Sequence, residues 1–62
     1  LGQLKLQGVV RLGGEQVAYV QVEKQGVKTV RQGQELLEFV VKEILPGKVV
    51  LSMDGVEVTL EL

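Results

Sequence analysis

Sixty-two residues without a cysteine or a histidine exclude a disulfide framework and the usual zinc sites, and leave room for one domain at most. So short a chain buries only about 60% of the surface it exposes when unfolded, so its stability must come from a compact apolar core, with or without a partner's help. Seven basic and eight acidic residues, spread along the chain to a net charge of −1, supply neither the concentrated basic surface that nucleic acid requires nor a membrane-surface patch.

The 45% apolar content speaks for a folded domain, and with one Phe and one Tyr its core must be built from Val and Leu. No apolar run approaches the roughly 20 residues of a spanning helix, and no signal peptide is visible. The first residue is Leu1 rather than Met, so the sequence reads as a single domain, 1–62, cut from a longer protein.

Alternation by two marks half-buried strands along most of the chain. In "LKLQGVVRL" the even positions Leu4, Leu6, Gly8, Val10 and Leu12 are expected on one face, with Lys5, Gln7, Val9 and Arg11 on the other. Gly13 and Gly14 break the run. A second strand follows in "QVAYVQVE", its core row Ala18, Val20 and Val22, with Tyr19 on the opposite face. "KQG" turns the chain into "VKTVR", and "QGQE" breaks it again, with Gly33 in the left-handed conformation.

"LLEFVVKEIL" mixes helix formers with the aromatic and β-branched "FVV". It is read as a short turn through Leu36 and Leu37, then a strand near Phe39 to Leu45 that ends at Pro46-Gly47. "KVVLSM" and "VEVTLEL" flank Asp54-Gly55, the strongest two-residue hairpin signal in the chain. Val56, Val58, Leu60 and Leu62 alternate there with Glu57, Thr59 and Glu61. The whole predicts an all-β domain, a small antiparallel β-sandwich or partly open barrel of about six short strands. Its hairpins resemble each other only as hairpins, so no internal repeat is read.

Sites that would carry chemistry are scarce. Gly8 and Gly13 have the outer spacing of a phosphate-binding loop, but such a loop opens a helix and places Lys on the phosphate. Here Gly14, Glu15 and a strand follow, so "RLGGE" is a hairpin corner. Glu57 and Glu61 share the wet face of one strand, and Glu35 and Glu38 flank a turn. Solvated surface charge explains both pairs. Ser52 is the only serine and no nucleophile–base pair can be assembled, so an enzyme is not expected and no cofactor is called for. Asp54 and Glu57 lack the repeated oxygen ligands of a calcium loop, and no metal site is read.

The first strand is the more informative element. If it lies at an edge, its unpaired backbone groups could accept a strand from another protein, with Lys5, Gln7, Val9 and Arg11 as the partner-binding row. Lys5 and Arg11 equally suit an edge guarded against aggregation.

Taken in order, the pattern resembles the periplasmic homology-region domain of the inner-membrane C component of type II secretion systems (GspC) and its type IV pilus relative PilP. A Leu-x-Leu-x-Gly strand is met by Leu4, Leu6 and Gly8. A small residue with alternating aliphatics is met by Ala18, Val20 and Val22. Val30, Gly33 and Leu36 supply the next element, then Val41, Ile44, Val49 and Leu51, and Gly55, Leu60 and Leu62 close it. Gln34 departs from the pattern, since an acidic residue often follows the family glycine, and the first corner is short.

The resemblance implies a periplasmic domain of an inner-membrane protein, tethered to the membrane by segments outside this chain. It implies a non-catalytic adaptor that works with other inner-membrane platform proteins and binds the N-terminal periplasmic domain of the outer-membrane secretin, largely through strand edges. The alternatives are an SH3-like peptide-binding β-module, for which aromatic residues are few, and a self-associating domain that forms a weak homo-oligomer through the same edge.

Overall fold

A computed structural model describes residues 3–62 and is all-β, with two antiparallel sheets packed face to face and no closed barrel. The strands are β1 (Leu4–Leu12), β2 (Glu15–Val22), β3 (Gly26–Arg31), β4 (Glu35–Leu36), β5 (Phe39–Leu45), β6 (Lys48–Met53) and β7 (Val56–Glu61). The first sheet has the order β1-β2-β3 and the second β4-β5-β6-β7.

The sandwich was legible in the alternation, while the strand count was one short. The extra strand is β4, two residues that pair with the start of β5 through Glu35↔Val40 and Leu36↔Phe39. Leu36 belongs to this strand and is buried, so the turn consists of Leu37 and Glu38. Leu37 sits there at φ 57°, a left-handed conformation that costs a branched L-residue about 1–2 kcal/mol. Two backbone bonds extend the pairing, Gly33 N–H to the Val41 carbonyl and Val41 N–H to the Gln34 carbonyl, each 2.8 Å.

Leu4, Leu6, Ala18, Val20, Val22 and Val30 from the first sheet meet Leu36, Val41, Ile44, Val49, Leu51 and Leu60 from the second. Val9 and Phe39 pack at the margin of this core. Among the described residues no buried side-chain polar atom lacks a partner, so the interior carries no desolvation debt. The last strand is buried only near its end. Leu60 is in the core, whereas Val56 at the start of β7 and Leu62 just beyond it are 60% and 70% exposed.

The registers correct two expectations. In β1 the pairing to β2 slips between Leu6 and Gly8, so that Gln7 is the extra residue of a β-bulge. Beyond the bulge the alternation is reversed. Val9 stands opposite Ala18 and packs on the core, whereas Gly8, Val10 and Leu12 stand opposite Tyr19, Val17 and Glu15 on the outer face. A strict period of two carried the inner row on to Leu12, and one inserted residue is enough to flip it.

The second correction concerns repetition. In β5 the pairing to β6 slips between Val41 and Glu43, leaving Lys42 as the extra residue. The pairs Leu6↔Val20 and Val9↔Ala18 around the first bulge therefore match Val41↔Leu51 and Ile44↔Val49 around the second. Val30 opposite Ala18 likewise matches Leu60 opposite Val49. Each sheet thus contains a three-strand meander with a bulge at the same place in its first strand. The match is one of register, since none of these inner sites carries the same residue in both halves and only aliphatic character is shared.

Candidate functional site

With β1 at one edge of the first sheet, its outward backbone groups have no strand beside them in that sheet. Lys5 projects from the outer face opposite Gln21, and both are exposed. The bulge presents Gln7 to the same face, where its amide donates to the Gln21 side-chain oxygen at 2.7 Å. The expected row then divides. Val9 is turned inward against the core, and Arg11 follows it on the inward side, at the end of the hairpin. Lys5 and Gln7 are therefore neighbours, whereas Val9 and Arg11 do not share their surface.

The outer face of this sheet is unexpectedly apolar. Val10, Val17 and Tyr19 cluster on it, with Leu12 (51% exposed) and Val27 (57%) near its ends. Val17 is fully buried even though it faces away from the second sheet, since it lies in register between Val10 and Arg31. Gly8 stands opposite Tyr19, and a Cβ built at Gly8 would come within 4.0 Å of the tyrosine ring, so the ring covers a position with no side chain of its own. A signal for this face was present in the sequence. "QVAYV" places Val17 and Ala18 side by side, and adjacent apolar residues in a strand must face opposite ways.

The second sheet turns outward a face on which Lys42, Glu43, Lys48, Glu57 and Glu61 surround Val40, Leu45 and Val50. The Lys42 ammonium, at the bulge, bonds the Glu57 carboxylate, and Lys48 approaches Glu61 at 3.6 Å. The hydrogen bond that Lys42 donates to the Glu57 carboxylate, together with that carboxylate's charge, holds Lys42 above the ordinary lysine value. Cross-strand ion pairs of this kind keep a sheet face soluble and add little to stability.

A cleft of about 350 Å³ opens where the first hairpin ends. Arg11, Gly14, Glu15, Gln16, Arg31 and Gln32 line it, together with Ile44 of the second sheet. The Arg31 Nε lies 3.3 Å from the Glu15 carboxylate, and the Gln34 side-chain oxygen accepts from the Arg31 backbone N–H at 3.0 Å. Gln32 donates to the Lys42 carbonyl at 3.3 Å, closing the side of the cleft next to β5. Sequence reasoning placed Arg11 on an edge and did not connect it with Arg31.

The "RLGGE" corner is the two-residue turn that the sequence required. Gly13 and Gly14 have φ 59° and 87°, the pair of left-handed residues that matches the twist of a tight hairpin. No family model, no curated protein and no solved structure matches this chain.

Proposed function

We propose that this chain is a non-catalytic interaction module, the periplasmic adaptor domain of a type II secretion or type IV pilus machine. It would link the inner-membrane platform to the outer-membrane secretin by binding the secretin's N-terminal periplasmic domain. The observation that carries this reading is the position of β1 as a free sheet edge with Lys5 and Gln7 turned outward. An unpaired edge offers main-chain hydrogen bonds to an incoming strand, and alternate side chains beside it add selectivity.

The resemblance supports the reading from a second direction. Its aliphatic positions, apart from Leu62, are the twelve residues of the buried core. Such positions speak for the packing more than for the partner, so the function rests on the edge. The contact is expected to be small, with an interface below about 1,200 Å² and transient binding. Val9 and Arg11 drop out of the contacting row in this form of the proposal, and Gly8 and Val10 enter it.

Amide NMR titration with a secretin N-terminal periplasmic domain tests it. Saturable shifts concentrated on Leu4 to Val10 are the expected result. Saturation with shifts elsewhere would retain the adaptor and move its site. No shift at millimolar partner would overturn the secretin reading. Light scattering across concentrations would then decide whether the apolar outer face of the same sheet, with Val10, Leu12 and Val27, pairs two copies of the chain.

A further inference from the structure

The two meanders differ in the length of their first hairpin. Past the matched pairs Val9↔Ala18 and Ile44↔Val49, the second hairpin continues for one pair, Leu45↔Lys48, and turns. The first continues for three, Val10↔Val17, Arg11↔Gln16 and Leu12↔Glu15. The β1–β2 hairpin therefore overhangs the second sheet by two residue pairs. Its last inward-facing pair, Arg11 and Gln16, lines the cleft described above together with Ile44 of the second sheet.

What the overhang presents is specific in chemistry. The cleft is lined by Arg11, Gln16, Gln32 and Ile44, with Arg31 and Glu15 reaching it from the outer face of the sheet. Glu15 engages Arg31, whereas Arg11 forms no ion pair among the described residues. One unmatched positive charge with a planar fork of donors thus stands in a concavity, on a protein whose net charge is −1. A guanidinium fork fits the two oxygens of a carboxylate, and donors in a recess hold an anion better than the same donors on an open face. The volume is at the small end for ligand sites and suits one side chain or chain terminus rather than a nucleotide.

We infer that the cleft beneath the β1–β2 overhang binds a carboxylate carried by a partner peptide, with Arg11 as its principal ligand and Gln16, Gln32 and Arg31 beside it. This site is separate from the β1 edge and stands or falls independently of the secretin proposal.

Amide and arginine Nε–H NMR of the whole chain provides the test, with three short peptides as probes. One is acetylated and amidated with a central glutamate, one is a neutral peptide with a free C-terminus, and the third has glutamine for glutamate and no free terminus. Saturable millimolar shifts at Gln16, Gln32 and the Arg11 Nε–H are expected with a carboxylate peptide and not with the third. Binding of the first alone assigns an acidic side chain, binding of the second alone a chain terminus, and binding of both the carboxylate itself.

Arg11→Gln should weaken binding about tenfold, as loss of a charge-assisted bond does. Arg11→Lys, which keeps the charge and loses the fork, should fall between. Unchanged Val20 and Leu51 signals would certify the fold of each variant, and Lys5→Gln should leave binding intact. The inference is overturned if no carboxylate peptide saturates, if the glutamine peptide without a free terminus binds as well, if Arg11→Gln binds unchanged, or if Lys5→Gln weakens binding equally.

Discussion

The outer face of β1–β2–β3 carries Val10, Leu12, Val17, Tyr19 and Val27 beside Lys5, Glu15 and Arg31, whereas that of β5–β6–β7 carries Lys42, Glu43, Lys48, Glu57 and Glu61 beside Val40, Leu45 and Val50. Inward, the two meanders are matched down to the position of the bulge in the first strand of each. The difference shows which part of a small sandwich is free to vary. Inner residues must interdigitate in one dry core, so both meanders use aliphatics at corresponding sites. Outer residues, hairpin overhang and sheet edge escape that constraint, and there the first meander has gained an apolar face, a free edge and a cleft.

The comparison can be tested first where the halves are most alike. Leu51 is fully buried on the central strand β6, at the place that Val20 occupies in the first meander. Leu51→Ala should cost about 3 kcal/mol or more, enough to leave so small a domain largely unfolded in mild urea. Leu60→Ala, on the edge strand β7, should cost less. Equal effects in urea titrations would mean that β6 is not the centre of the core.

The bulge is tested next. Were β1 a regular strand, Val9→Arg would lie on the solvent face and leave stability unchanged. Because the bulge turns Val9 inward, the arginine must displace packed atoms at the margin of the core, and a loss of about 2 kcal/mol is expected. An unfolding midpoint within a few tenths of a kcal/mol of the parent chain would refute the reversed register.

A smaller effect of opposite sign is expected at Leu37, in the β4–β5 turn that the first meander lacks. Leu37→Gly removes the Cβ from a left-handed residue that is 43% exposed, and should stabilise by about 0.5–1 kcal/mol. A lower melting temperature would show that the leucine side chain contributes more than the strain costs.

The smallest effect concerns the charged face. Lys42 titrates above its ordinary value of 10.5 because of Glu57, so its folded form holds the proton more tightly than its unfolded form. That contribution is fully present below about pH 10.5 and is lost as pH rises through the folded value. A small alkaline fall in melting temperature should be reduced in Glu57→Gln, and an identical pH profile in both proteins would exclude the pair as its cause.

Most strands could be read from the chain because each turn has a local chemical cause. Gly13-Gly14 and Asp54-Gly55 adopt left-handed pairs that few other residues tolerate, and Gly33 takes φ 87° as expected. β4 escaped notice because Leu36 and Leu37 are both good helix formers and the strand is two residues long. In β1 the alternation put Lys5 and Gln7 on the outer face because it holds up to the bulge at Gln7, and it misplaced Val9, which follows the bulge. The cleft was invisible, since Arg11 and Arg31 are twenty positions apart in the sequence and meet only at the end of the sandwich.

By itself the sequence determined the all-β class, the hairpin corners and the aliphatic rows of β2 and the first half of β1, since period and turn chemistry act over a few residues. Tertiary structure alone decided the bulges at Gln7 and Lys42, the correspondence of the two meanders and the overhang of the first hairpin. Those features depend on how one strand's register accommodates its neighbour and where the opposing sheet ends. Both are set by side chains far apart in the chain that must fill one shared core.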